Sequence, residues 1–465
     1  MWQKEATDKF KIETIESETM RKALESWCDT YQGKPPWQDD DIESFNFAKT
    51  LCTEVGRLVT LAMGISVEGS ARADWLNSFM ASYISRLKEE YCEKAAAFGY
   101  LILKPNGTGI DYVMPWEFCP THANDGKITG GIFYDHYHEA DDKWYYTRLE
   151  YHRFEIRIPE ANPVYRITNK TYRSSGTSIG EEVSLETTVW NGMLEDVSIV
   201  NVERPLFGVF KMPFANNIDV SSDIGVSLFS NAMKELKTLD IAWTRFEDEQ
   251  FDSGKKVFMG DMLLAEPGAP VHNRATANMA VDKAGKTLPR YVHIIPGSNT
   301  GEEYHEINPA LNTAQRIEAI NHFLNMAGVK CGFSAGQFVL DGRTGYVTAT
   351  QVEADDRETI QLVKQIRDSL QTATDDLVYA LDKYADLYEL APLGVYEINY
   401  DFGDITYNWE EDRSRHWGYV QSGKYPLWMY YVKFEGMSEE EAKAVVMEAK
   451  NENQSERKPG WFGEE

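Results

Sequence analysis

The feature that most constrains the fold is a long periodic segment late in the chain. Between about Thr350 and Glu389, apolar side chains recur every three or four residues, which is typical of one face of an α-helix. The repeating positions are Ile360, Val363, Ile366, Leu370, Leu377, Leu381 and Tyr384. At a rise of about 1.5 Å per residue, such a helix is roughly 55 to 60 Å long. A compact small domain rarely needs a helix of this length.

Two shorter helical segments and an insert precede the long one. Apolar periodicity predicts helices from about Asp223 to Gln250 and from Thr313 to Val329, with Gly254 ending the first. Residues 255–311 between them have the pattern of short strands and loops. The stretch from Gly332 to Thr348 favours a mobile loop because of its glycines. These are Gly336, Gly342 and Gly345.

The N-terminal part divides into a helical region and a β region. Residues 10–98 are predicted to be mainly helical, with one helix that follows the acidic run Asp39–Asp41 and stops at Gly64, and another from about Ala73 to Phe98. The first has its apolar stripe at Phe45, Ala48, Leu51, Cys52, Val55, Leu58, Val59 and Ala62. From Tyr100 to about Leu206, alternating aromatic-rich runs between glycine turns predict antiparallel strands.

The C-terminal part is predicted to be short and mixed. A β-like piece, Gly394 to Tyr407, precedes a helical region. There Ser438-x-x-Glu441 has the pattern of a capping box, in which the serine and the acid satisfy each other's backbone N–H at a helix start. From Asn451 the chain is polar and predicted to be disordered.

Net charge limits the partners that the chain can bind tightly. It has 47 Lys and Arg against 74 Asp and Glu, a formal net charge of -27 at pH 7. This balance disfavours tight binding of a polyanion, but it permits a protein that touches DNA without holding it.

The 465 residues, 42% of them hydrophobic, suffice for two to four structural units. No window approaches the roughly 18 apolar residues of a membrane span, so we expect neither secretion nor membrane insertion by a signal of its own.

Catalytic and metal-binding signatures are absent or weak. The phosphate-binding glycine loop, the dinucleotide glycine motif and the nucleophile elbow do not occur in the sequence. His136-x-His138 could place two imidazoles on one strand face for a metal, but the polar end of a hairpin is the simpler interpretation. The cysteines lie far apart without zinc-type spacing, so we expect them to be reduced and buried. They are Cys28, Cys52, Cys92, Cys119 and Cys331.

Short runs spread over nearly the whole chain resemble one known family. They are Trp27, Tyr31, Gly33 and Pro36-Trp37, then Asn46 to Cys52 with Glu54, Glu93 to Gly99, Thr147 to His152, Ser222 to Ser227 with Leu239-Asp240, and Ala349 to Val352. In this order they resemble the portal proteins of tailed bacteriophages with long non-contractile tails.

The resemblance implies an α+β portal fold with named parts. Residues 1–221 would form the β-containing wing, 222–250 and 313–331 the two stem helices, and 251–312 the clip between them. Residues 332–349 would be the tunnel loop and 350–390 the long support helix behind it. Residues 391–465 would form a helical crown and a C-terminal tail.

The resemblance also implies function and partners. Such proteins form cyclic homo-oligomers, here expected to be dodecamers, at one capsid vertex, where double-stranded DNA is packaged, retained and ejected. Expected partners are the terminase large subunit, which would carry the ATP-driven motor, the head-completion or adaptor protein, and the scaffold and major capsid proteins. The expected location is the virion, and the host cytoplasm during assembly. No enzymatic activity, cofactor, metal or membrane partner is expected.

Three sets of residues are the predicted sites. The tunnel-loop residues facing DNA would be Phe338, Asp341, Arg343, Thr344 and Tyr346. The acidic channel-lining residues would be Glu247, Asp248 and Glu249. The basic clip residues for docking would be Lys255, Lys256, Arg274, Lys283 and Lys286.

Two alternatives stay open at this point. An acidic chain with 12% aromatic residues also fits a carbohydrate hydrolase, whose paired carboxylates cannot be located without a structure. Another virion structural protein is the second alternative.

Overall fold

A computed structural model describes residues 2–138, 143–155, 164–176, 178–252, 256–260, 275–276, 279–280, 292–295, 304–307, 312–340, 357–403, 409–422, 425–435, 437–438 and 441–447. The chain divides into two compact units, Met1–Phe402 and Gly403–Glu465. Helices and antiparallel sheets are both well represented in the first unit, which confirms the predicted α+β class.

The first unit begins with a set of helices. They are α1 (Trp2–Phe10), α2 (Glu18–Tyr31), α3 (Phe47–Val59), α4 (Ala71–Arg86) and α5 (Cys92–Phe98). A π-helical turn, Leu87–Tyr91, joins the last two. The predicted end at Gly99 is confirmed, because this residue has φ 88° and its N–H donates to the carbonyl of Ala95 at 2.9 Å.

The predicted helix end at Gly64 is wrong. The helix stops at Val59, and Gly64 lies in strand β1 (Met63–Glu68). This strand pairs antiparallel with a strand from the other end of the unit, Glu397–Phe402, from Met63 opposite Phe402 to Glu68 opposite Glu397. A local pattern could not reveal a partner so distant in sequence.

The predicted antiparallel β region is confirmed. Its strands are β2 (Tyr100–Pro105), β3 (Ile110–Val113), β4 (Phe118–Asn124), β5 (Lys127–His138), β6 (Tyr145–Glu155), β7 (Val164–Ser174), β8 (Glu181–Val183), β9 (Asp196–Ile199) and β10 (Gly208–Lys211). The main sheet has the order β4-β5-β6-β7-β8, with β9 also paired to β7, and a smaller sheet has the order β10-β2-β3. Helix α1 covers one face of the main sheet, where Ala6 packs with Ile132, Leu149 and Tyr172.

The helix predicted from Asp223 starts ten residues later than expected. Helix α6 spans Met233–Asp252, and residues 223–229 form an irregular, largely buried segment. The cause is the close approach of two backbones, since a Cβ at Gly225 would lie 2.3 Å from the carbonyl oxygen of Gly99. The apolar side chains of this segment therefore pack without helical periodicity.

The insert after α6 contains strands, as predicted. Within its described residues they are β11 (Lys256–Gly260), β12 (Ala275–Thr276), β13 (Met279–Ala280), β14 (Val292–Ile295) and β15 (Tyr304–Ile307). Strand β11 pairs parallel with β14 and antiparallel with β15, and β12 pairs with β13. Helix α7 (Thr313–Lys330) follows at the predicted position.

The long helix is confirmed over its described part, with its apolar face buried and its opposite face exposed. Helix α8 spans Arg357–Leu387, 31 residues or roughly 46 Å, and is followed by β16 (Glu397–Phe402). Its predicted apolar face includes Val363, Ile366, Leu370 and Leu377, all fully buried. It packs on β10, β2, α3 and α4, so it forms the centre of the first unit.

The second unit is helical in its described residues. It contains α9 (Trp409–Gln421) and α10 (Leu427–Glu435), and residues 441–447 are also helical. The predicted capping box is confirmed, because Ser438 N donates to Glu441 Oε2 at 3.1 Å and Glu441 N donates to Ser438 Oγ at 3.3 Å.

Candidate functional site

Helices α6 and α7 form an antiparallel hairpin. Near its base, Lys330 Nζ lies 2.8 Å from Glu235 Oε1, and near its other end Arg316 Nε lies 2.8 Å from Glu249 Oε2. The start of one helix thus pairs with the end of the other at both ends. This register brings the two ends of the β insert to one end of the hairpin.

Glu249, predicted to line a channel, closes that end of the hairpin. Its Oε1 accepts from the backbone N–H of Asn312 at 2.9 Å, at the start of α7, while Oε2 accepts from Arg316. The backbone bond from Asn312 and the bond from Arg316 lower the pKa of Glu249. Glu247 is half-buried and Asp248 is exposed on the same turn. All three predicted acids therefore lie beside the insert.

The base of the hairpin is fixed to the segment between helices α2 and α3 through Asp240. Its carboxylate accepts from Trp37 Nε1 at 2.8 Å and from the backbone N–H of Phe45 at 3.0 Å. Burial raises the pKa of Asp240, while these two bonds oppose the shift. One turn further, Thr244 Oγ1 accepts from the backbone N–H of Glu43 at 2.9 Å. Nothing in the local sequence pattern distinguished Asp240 from a solvent-exposed acid.

The segment after α7 turns back along that helix. Asn325 Oδ1 accepts from Gly336 N at 2.7 Å, and Asn321 Oδ1 accepts from Leu340 N at 2.8 Å. These asparagines are one helical turn apart, so their amides lie on one face of α7. At the start of α8, Thr359 N donates to Ser334 Oγ at 3.1 Å, and Thr359 Oγ1 accepts from Ser334 N at 2.9 Å.

Phe338, the first predicted tunnel-loop residue, packs against the body of the unit. Its ring meets those of Phe47 and Phe333 edge-on, with centroids 5.1 and 5.0 Å apart. Val339 and Leu340, which follow it, are 38% and 42% exposed. Phe338 therefore anchors the segment at the point where its side chains begin to face outward.

The remaining predicted site residues fall largely outside the described part of the chain. This holds for Asp341, Arg343, Thr344 and Tyr346 of the tunnel loop, and for Lys255, Arg274, Lys283 and Lys286 of the clip. Lys256 is the first residue of β11, in register with Ile307 of β15. The structure thus brings together Phe338 with the helix hairpin, and Glu247, Asp248 and Glu249 with the start of the insert.

Among the described residues, the two histidines of the His-x-His motif do not form a metal site with other ligands. His136 and His138 are exposed on β5, and their rings stack on Tyr145 at centroid distances of 5.5 and 4.1 Å. In the ranges that the structure describes, no group of three or more His, Cys, Asp or Glu residues could hold a metal ion.

All five cysteines are free, four of them buried and Cys28 half-buried. No helix in those same ranges is long and apolar enough to cross a membrane.

Comparisons with known proteins give little guidance. No protein-family model matches the chain. No curated protein matches it either. Among solved structures, one match is the neck of a native GTA particle computed with C12 symmetry, with a TM-score of 0.38 and 10% identity over 88% of this chain and 92% of that chain. A TM-score this low does not establish a shared fold.

Proposed function

We propose that the chain is a portal subunit of a tailed bacteriophage, which forms a ring at one capsid vertex for the passage of double-stranded DNA. The observation that carries the proposal is the antiparallel α6–α7 hairpin with a β insert at one end. The segment 332–340, which is hydrogen-bonded along α7, and the long helix α8, whose apolar face is buried, then follow. The same order of parts is implied by the sequence resemblance to portal proteins.

The hairpin suits a subunit that repeats around an axis. Its two helices are tied to each other at both ends and, at the base, to the segment between α2 and α3, so they form one stiff unit. In a closed ring, each subunit would meet its neighbours through two different surfaces. Copies of the hairpin would then stand side by side, with the inserts together at one end as the clip.

The charge of the chain suits a channel that DNA slides through. Acidic walls repel phosphates, whereas each neutralised phosphate would add a counterion-release contribution to binding and slow the passage of DNA. We assign Glu247 and Asp248 to such a wall and Glu249 to closing the hairpin. The segment beyond Leu340, with Asp341, Arg343, Thr344 and Tyr346, is proposed to face DNA, and Phe338 to anchor it.

The proposal includes the partners of a non-enzymatic conduit. These are a dodecameric ring of the same chain, a terminase large subunit that supplies the ATP-driven motor, an adaptor protein, and the scaffold and major capsid proteins. The location would be the portal vertex of the virion, reached from the host cytoplasm during assembly.

The mass and shape of the purified protein in solution test the proposal that it is a portal subunit. The purified chain should form a ring-sized oligomer in light scattering, and class averages from electron microscopy should have cyclic symmetry and an axial opening wide enough for duplex DNA. A strict monomer at micromolar concentration that cleaves polysaccharide would instead establish the hydrolase alternative. Motor-like ATP hydrolysis by the chain alone would also contradict the proposal.

A further inference from the structure

A large groove lies on the first unit, away from the helix hairpin. Its volume is about 1190 Å³, and it runs between helices α1, α2 and α4 on one side and strands β3 and β5 on the other. Its walls carry aromatic rings and carboxylates, with Trp116 40% exposed. The proposed ring does not account for this groove.

Stacked rings line the two ends of the groove. Tyr91 stacks on Tyr112 with centroids 4.1 Å apart and planes 10° from parallel. Trp2 stacks on Tyr134 at 4.5 Å, and Trp2 Nε1 donates to the carbonyl of Trp116 at 2.7 Å. These contacts fix the orientation of the rings, so a ligand would meet a preformed aromatic wall.

The groove already contains a cation close to an aromatic ring. The Arg86 guanidinium lies 5.1 Å from the centroid of Tyr91 and donates to the Tyr91 hydroxyl at 3.0 Å. Lys94 Nζ lies 4.9 Å from the same centroid, and Tyr112 stacks on the ring. Planar guanidinium groups stack on such rings more readily than a lysine ammonium does. Cations of the protein thus already lie against the Tyr91 ring, and the exposed ring of Trp116 could receive a cation of a ligand.

Carboxylates converge on the same groove. Asp111 accepts from the neutral amide of Asn106 at 2.6 Å, and Glu117 accepts from the backbone N–H of Met114 at 2.9 Å. Burial raises the pKa of Glu117, the Met114 hydrogen bond and Lys94 oppose the shift, and the nearby charges of Asp135 and Asp111 add to it. Asp135 is paired with Arg148, but that guanidinium is shared with Glu150 at 3.0 Å. The groove lining carries four carboxylates, those of Glu25, Asp111, Glu117 and Asp135, against the two guanidinium groups of Arg21 and Arg86, so its acidic groups outnumber its basic ones.

We propose that this groove binds an arginine-bearing cationic peptide segment of a partner protein. Rings that accept a stacked guanidinium and carboxylates that accept its N–H donors are both in place. The carboxylates oppose a phosphate-bearing ligand such as nucleic acid. The proposal does not depend on whether the chain forms a ring.

Binding of short labelled peptides to the full-length chain tests the proposal. By fluorescence anisotropy, hexa-arginine should bind about tenfold more tightly than hexalysine, a difference of about 1.4 kcal/mol, because only the planar guanidinium both stacks on a ring and forms paired bonds with a carboxylate. Trp116→Leu should remove most of that preference. Asp111→Asn should weaken binding of both peptides.

Matched variants control for the strongly acidic surface. Asp368→Asn removes one exposed acid outside the groove, and Trp417→Leu removes a tryptophan that is 42% exposed in the second unit. Neither should change binding. Melting curves would show whether Trp116→Leu disturbs folding through its contact with Phe98 at 4.9 Å, and Asp111→Asn provides an independent test if it does.

Two results would overturn the proposal. The first is equal affinity for hexa-arginine and hexalysine that neither groove variant alters, which would mean nonspecific attraction to an acidic chain. The second is binding of a neutral probe, cellohexaose, that Trp116→Leu abolishes while hexa-arginine does not bind. In that case the groove would be a carbohydrate site.

Discussion

The main sheet and the helix hairpin place their charges in opposite settings. In the sheet, Glu150 is buried among Lys104, Arg148 and His152, with contacts of 2.8, 3.0 and 2.7 Å. In the hairpin, the pairs lie at the two ends of the helices, and the Lys330 and Arg316 side chains are 32% and 42% exposed. The sheet therefore depends on internal charge balance, whereas the hairpin depends mainly on helix packing.

The buried cluster of the sheet is fully connected. Tyr165 Oη accepts from Leu206 N at 3.2 Å, so its proton is directed to His152 Nδ1 at 2.9 Å. His152 then donates from Nε2 to Glu150. Burial by itself would raise the pKa of Glu150, but Lys104, His152 and Arg148 hold it well below its usual range.

The largest effect is expected from Glu150→Gln. The substitution would leave Lys104 and Arg148 buried without their shared carboxylate, at a cost of about 3–5 kcal/mol in the free energy of unfolding. Denaturant titration at fixed protein concentration measures it. Because the folded pKa of Glu150 is lowered, the wild-type contribution is present above the unfolded pKa and is lost as pH falls through the folded value. Glu182→Gln, an exposed acid of the same sheet, is the control and should have little effect.

Substitution of a buried arginine on the long helix should have the second largest effect on stability. Arg367 donates to the carbonyls of Leu58, Val59 and Leu61 at 3.0 to 3.2 Å, and thus satisfies the C-terminal end of α3. Arg367→Met should cost about 2–4 kcal/mol, because it leaves these acceptors without their donor. The control is Lys364→Met, an exposed residue on the same helix. Equal stability of the two variants would contradict this role for Arg367.

Substitution of Glu16 is expected to stabilise the chain, whereas the two preceding substitutions destabilise it. Burial raises its pKa to about 7, with Gln3 and Arg21 opposing the shift. Because the folded pKa exceeds the unfolded one, the contribution of Glu16 to stability is fully present below about pH 4.5 and is lost as pH rises to about 7. Glu16→Gln should therefore stabilise the chain by about 1–3 kcal/mol at pH 8 and by much less at pH 4.5.

Thermal melts of wild type and Glu16→Gln at the two pH values measure this effect. Glu18→Gln is the matched control, since Glu18 is exposed and paired with Lys22. A Glu16→Gln variant that is less stable than wild type at pH 8 would show that the Glu16 carboxylate has a stabilising partner.

The sequence predicts local features of this fold well and distant contacts poorly. The helix end at Gly99, the capping box at Ser438 and the apolar face of α8 each depend on residues within a few turns, and all are confirmed. The pairing of β1 with β16 and the contact of Arg367 with α3 depend on residues far apart in the chain. No local pattern encodes them.

The same limit applies to the candidate site. The order of helix, insert, helix and long helix followed from periodicity alone. The position of Phe338 did not, because it is set by Phe47, which lies on a helix distant in sequence. Glu249 likewise had the pattern of a solvated acid, and only the register of the hairpin gives it partners at Asn312 and Arg316.

The smallest effect is expected in the hairpin. Lys330→Met removes the cation from Glu235, whose other carboxylate oxygen is buried without a hydrogen bond in the described part of the chain. Because the lysine is 32% exposed and solvent screens the pair, the cost should be at most about 1 kcal/mol. A double-mutant cycle with Glu235→Gln, read from denaturant midpoints, isolates the pair from other losses. A coupling energy of about 3 kcal/mol or more would mean that this pair behaves like the buried cluster around Glu150, and the contrast between the two regions would no longer hold.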